Sequence, residues 1–125
     1  MRKTQFKGDV AVARAVSTFT EMGFDILLPL TESSPYDIVV DTKKGLKRVQ
    51  VKYSSERHVD LRRIHSNSNG FVVKKSKRDS YDWLYILSHE DKEFLIKKCL
   101  HGRRSITPQD KDLIKKDSLK NVFEK

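Results

Sequence analysis

A single cysteine, Cys99, excludes an internal disulfide and points to a reducing compartment. Long apolar runs are equally scarce. None approaches the roughly 20 residues that span a bilayer, and the best candidate, Ile26 to Leu30, is broken by Pro29. No basic amphipathic helix carries bulky residues along one face, so no membrane partner is expected. Met1 to Gln5 lack the apolar stretch of a signal peptide. With the lone cysteine, this gives the expectation of an intracellular, cytoplasmic protein. The four histidines, His58, His65, His89 and His101, show no metal-ligand spacing. There is no internal repeat and no linker, and 125 residues suffice for one domain but not for two ordinary ones.

What the chain has in excess is positive charge. Lys and Arg number 26 against 17 Asp and Glu, a net charge of +9. A field of that sign attracts polyanions, and with membranes disfavoured it points to nucleic acid. The basic residues cluster at Arg62-Arg63, Lys74-Lys75-Ser76-Lys77-Arg78, Lys97-Lys98 and Arg103-Arg104.

Hydrophobic periodicity predicts a helix over Asp9 to Met22, with Val12, Val16 and Phe19 on one face and Gly23 as its stop. Phe24 to Leu30 reads as a short strand. Tyr36 to Asp41 and Leu46 to Tyr53 read as two strands joined by a hairpin turn at Thr42 to Gly45. Val59 to Arg63 suggests another strand, His65 to Gly70 a loop, and Phe71 to Val73 a short extended piece. Trp83 to Leu87 and Glu93 to Ile96 form a predicted hairpin whose alternating Trp83, Tyr85, Phe94 and Ile96 are core. From Thr107 onward, Leu113, Ile114 and Leu119 give weak helical patterning. The expected architecture is α/β, a mixed β-sheet opening α-β-β-β with flanking helices.

Within the third segment, Val49, Val51 and Tyr53 point one way and Arg48, Gln50 and Lys52 the other. If the turn makes a hairpin, Asp37 falls near Gln50 to Lys52. A carboxylate, an amide and an ammonium then surround one point, a group suited to phosphodiester cleavage. The carboxylate holds Mg²⁺, the metal acidifies water, and the cation offsets charge on the phosphate. The Val51 carbonyl offers a further oxygen ligand. Each element has a bland reading as well, Asp37 as a turn cap and Gln50 and Lys52 as a solvated strand face.

Lys7-Gly8-Asp9, Pro35-Tyr36-Asp37 and Gln50-Val51-Lys52, in this order and spacing, resemble the PD-(D/E)xK nuclease superfamily. The likeness is strongest to its group I intron-encoded homing endonuclease branch, where glutamine replaces the usual acid before x-Lys. Archaeal Holliday-junction resolvases share the core more distantly. The resemblance implies a restriction-endonuclease-like fold and one nuclease-like domain over 1–125. It also implies a Mg²⁺-dependent site-specific DNA endonuclease, with Mn²⁺ as a substitute ion. Asp37 would be the main metal ligand, Gln50 a neutral ligand or water-orienting group, and Lys52 the cation at the phosphate. Related nucleases often carry a glutamate where this chain has Val12. Asp9 is the nearest acid, and it reads either as the replacement catalytic and metal-binding residue or as an N-cap.

Double-stranded DNA is the expected partner. Lys74, Lys75, Lys77, Arg78, Arg103 and Arg104 would neutralise phosphates. Arg62 and Arg63, on one strand, would reach base edges from a β-ribbon. One site cuts one strand, so a double-strand cut calls for a homodimer or homotetramer. A junction resolvase, or an inactive DNA-binding module that has lost a metal ligand at Val12, are the competing readings.

Overall fold

The computed structural model describes residues 3–67, 70–74 and 77–114. A long helix, α1 (Lys3–Glu21), opens the chain. It is followed by β1 (Asp25–Leu27), β2 (Ile38–Thr42), β3 (Gly45–Ser54), β4 (Val59–Asp60), β5 (Arg63–Asn67), β6 (Gly70–Lys74), β7 (Trp83–Ser88), β8 (Glu93–Ile96) and β9 (Ser105–Ile106). A short 3-10 turn spans Asp110–Asp112.

The main sheet has the order β1-β2-β3-β7-β8, with β3 and β7 parallel and the other neighbours antiparallel. It is therefore mixed, and the α-β-β-β opening is as expected. The turn between β2 and β3 lies at Thr42 to Gly45. There Gly45 takes a positive φ of 115° and the Thr42 hydroxyl donates to its carbonyl at 2.7 Å.

Each face of the sheet has its own apolar cluster. Ala11, Ala15 and Phe19 of α1 pack on Ile38, Val40, Val49, Tyr85 and Leu87. On the reverse face, Leu84, Ile86 and Ile96 pack under Val59, Leu61, Tyr81 and Leu100. Two crossing segments build this second layer. Strand β4 pairs with β9, and the Leu61 N–H donates to the Arg104 carbonyl at 2.9 Å.

The helix is also tied to the sheet by a buried polar group. Glu93 is only 2% exposed, and its Oε1 accepts from the Thr18 hydroxyl and from the Tyr85 hydroxyl. Burial first, and the Glu93 carboxylate second, push the Tyr85 phenol above its ordinary range, so it remains a donor.

Several sequence expectations need correction. The helix starts at Lys3 instead of Asp9, because Gly8 sits inside it; a helical glycine is tolerated at a cost of about 1 kcal/mol. Asp9 is therefore not an N-cap. The strand expected over 24–30 is confined to Asp25–Leu27, ahead of Pro29, which lacks a backbone donor. Val59 to Arg63 is split between β4 and the separate β5–β6 ribbon. The polar residues His65 to Asn67, expected in a loop, pair with Gly70 to Val72, a cross-strand relation that local composition does not reveal. Flanking helices were expected, but among the described residues α1 is the only α-helix. Leu113 and Ile114 instead return to the sheet edge, with Leu113 bridging Phe94 and the Ile114 N–H donating to the Glu93 carbonyl. Leu119 lies outside the described residues. No described helix is long and apolar enough to cross a membrane.

The tie between helix and sheet gives a stability prediction. Tyr85→Phe removes one donor from the buried Glu93 carboxylate, so unfolding free energy should fall by about 1.5–3 kcal/mol. Urea denaturation measures it, and an unchanged midpoint would contradict the network.

Candidate active site

The register of β2 against β3 decides which residues meet. Ile38 pairs with Val49, so Asp37, one residue earlier, falls opposite Gln50. Two hydrogen bonds fasten it there. The Asp37 N–H donates to the Val49 carbonyl at 2.9 Å, and its Oδ2 accepts from the Val51 N–H at 2.7 Å. An extended strand presents both backbone groups of one residue on one edge. The Val51 carbonyl therefore lies on the same edge as its N–H, beside Asp37.

Gln50 and Lys52 are opposite Leu84 and Ile86 of β7, which places them on the face away from α1. Gln50 is not a solvated residue: it is 5% exposed, and its Oε1 has no hydrogen-bond partner among the described residues. A buried acceptor in that state is costly unless a ligand completes it. The Lys52 amine donates to the Arg62 carbonyl at 3.4 Å.

Asp37, Gln50, Val51 and Lys52 line one groove of about 380 Å³, together with Glu32, Ser34, Pro35 and Arg62. The residues expected on β2 and β3 are thus brought together. Asp9 is not: it is exposed on α1 and lines none of the cavities described here. Val12, at the position where an acid was expected, packs against the α1-side core.

Arg62 was expected on a DNA-reading ribbon with Arg63. The structure instead gives it to the groove, since the chain leaves β4 before Arg62 and the ribbon begins at Arg63. Its guanidinium forks onto Asp60, with Nε to Oδ1 at 3.0 Å and NH2 to Oδ2 at 2.7 Å, and its own N–H donates to Oδ1 at 2.9 Å. These bonds, with the Lys52 charge as a smaller contribution, hold the Asp60 carboxyl down at about 2. Asp60 was missed in the sequence. The signal was Asp60-Leu61-Arg62, where an inward Leu61 puts the acid and the base on one outward side.

Of the other basic residues, Lys77, Arg78, Arg103 and Arg104 are exposed, and Lys97 lies over the Trp83 ring at 5.4 Å. Arg63 and Lys74 are partners at the base of the β5–β6 ribbon, and Lys75 lies outside the described residues. Among the described residues, no three His, Cys, Asp or Glu side chains group as a metal site. The oxygens the groove offers a hard cation are the Asp37 carboxylate, fixed to β3, with Gln50 and the Val51 carbonyl beside it and the Glu32 carboxylate also in the lining. That donor set suits an ion that keeps several waters.

Comparison with known proteins bears on the family and the fold. The profile of a family described as PD-(D/E)XK endonuclease matches residues 2–102. Among solved structures, the chain is similar to a bacterial homing endonuclease, I-Ssp6803I. The TM-score is 0.70 at 25% identity, over 95% of this chain and 88% of that one. No curated protein sequence matches.

The Asp60–Arg62 fork predicts a titration. In Arg62→Ala the Asp60 carboxyl should rise from about 2 toward its ordinary 3.8, read by carboxyl-carbon NMR. Because the folded value is depressed, the pair adds stability above about pH 4, and that contribution fades as pH falls toward 2. With Asp60 largely exposed, the stability effect is small. An Asp60 titration unaffected by the substitution would contradict the fork.

Proposed function

The chain belongs to the PD-(D/E)XK endonuclease family, and from that premise we propose that it is a Mg²⁺-dependent, site-specific DNA endonuclease of the homing type. One observation carries this reading: the two bonds from Asp37 to β3 gather a carboxylate, a buried amide and an amine in a single open groove.

The groove fits a divalent ion. Asp37 supplies a negative ligand, and the Gln50 Oε1, without a partner among the described residues, and the Val51 carbonyl supply neutral oxygens. Asp9 is left out of the set because it does not line the groove. When bound, Mg²⁺ supplies Lewis acidity toward a phosphate oxygen and toward water. Mn²⁺, with similar oxygen preference, would substitute.

The chain's own residues do the rest. Lys52 places a positive charge where negative charge grows on the phosphate, in a low-dielectric setting beside Leu84 and Ile86. Arg62, on the groove rim, orients a phosphate oxygen while its fork to Asp60 fixes its plane. Lys77, Arg78, Arg103 and Arg104, together with Arg63, Lys74 and Lys75, supply phosphate contacts along the duplex. With one such centre per chain, cutting both strands needs a homodimer or homotetramer. The lone cysteine suits work inside the cell.

Val12 is the feature favouring a non-catalytic DNA-binding module, since an apolar residue there withdraws one carboxylate. Cleavage assays separate the readings. A supercoiled plasmid library of random inserts, deep enough to include the target of a site-specific enzyme, and a four-way junction are incubated with Mg²⁺ and the unaltered chain, Asp37→Ala or Lys52→Ala. The plasmid should be cut, EDTA should stop it, and each variant should lose about 10²-fold or more in rate. Equal cleavage by all three proteins would remove the proposed centre. Preference for the junction would favour a resolvase.

A further inference from the structure

Gly8 is unexplained by the fold. It stands inside α1, where alanine is the better residue, and it is not among the positions with positive φ. A Cβ built on it would meet no described atom within 4 Å, so close packing does not demand glycine either. What the position does is line a groove. Gly8 and Lys7 form one wall of a space of about 560 Å³, whose other wall is Val51, Lys52, Tyr53, Ser54, His58 and Asp60.

This groove is continuous with the candidate active site, because Val51 and Lys52 line both. Its lining carries two lysines, Lys7 and Lys52, and two carboxylates, Glu56 and Asp60. The Lys7 amine rests over the Tyr53 ring at 5.3 Å, and Lys52 lies opposite. Asp60 is held by Arg62, and Glu56 lies 3.0 Å from the His58 imidazole.

We propose that the nucleic-acid strand attacked at Lys52 continues through this groove, its sugar–phosphate backbone lying against the Cα of Gly8. The glycine would then keep open a lane that a methyl group would narrow for the ligand and not for the protein. The inference rests on the endonuclease reading and extends it from the cleaved phosphate to the path of the strand.

The decisive property is opposite signs in one variant. Gly8→Ala should raise Tm by a few degrees, since helix propensity improves. It should also weaken binding of a fluorescein-labelled mixed-sequence duplex in Ca²⁺, or slow single-turnover plasmid cleavage in Mg²⁺, by about tenfold, as a small displacement of bound substrate does. Gly8→Leu should lose more of both. Ser17→Ala, at an exposed position on α1, should raise Tm without loss. A lowered Tm in Gly8→Ala would make the glycine structural and overturn the proposal. So would a more stable variant that binds and cuts within twofold of the unaltered chain. If the unaltered chain itself neither binds nor cuts DNA, the endonuclease reading fails first, and the strand path fails with it.

Discussion

The site depends on the clamp between Asp37 and β3. A single residue gives its N–H to Val49 and takes the N–H of Val51, so the end of β2 cannot slide without breaking both bonds. Strand side chains alternate with period two. A slip of β2 by one position would therefore turn Ile38 and Val40 out of the core and carry Asp37 away from its place opposite Gln50. The buried pair Ile38 with Val49, and the buried Val40 opposite Lys47, set the same register from the core side. Fold and site thus share one constraint.

The sheet divides its labour by face. The α1 side carries the larger core and the Glu93 network, in which Oε1 accepts from Thr18 and Tyr85. The reverse side is covered over β7 and β8 by the second cluster, while the groove opens beside β2 and β3. There the structure keeps features that do not serve folding: a buried amide oxygen without a partner, and a glycine in a helix. Each costs stability, as local departures from good folding chemistry at functional sites commonly do.

Much of this was legible in the residues because it obeys short periods. Alternation from Arg48 to Tyr53 gave the strand faces, and the Gly45 turn gave the hairpin that carries Asp37 to Gln50. The helix was expected to start at Asp9, but it continues through Gly8 to Lys3, and Asp9 sits exposed on α1 outside the groove. The ribbon over residues 63–74 and the return of Leu113 and Ile114 to β8 were hidden, since both depend on partners distant in sequence or on polar strands without an apolar alternation. Asp60 escaped notice although Asp60-Leu61-Arg62 is a local pattern, because its place beside Lys52 is a tertiary relation. The family resemblance reached the same three motifs, and the profile match over residues 2–102 extends it across most of the chain.

Anomalous diffraction from a co-crystal with duplex DNA and Mn²⁺ addresses the centre most directly, because it locates the ion independently of any loss of activity. The account predicts a peak within coordination distance of the Asp37 carboxylate, with a DNA phosphate oxygen sharing the ion and the Lys52 amine beside that phosphate. An ion held elsewhere, out of reach of the Asp37 carboxylate, would contradict it.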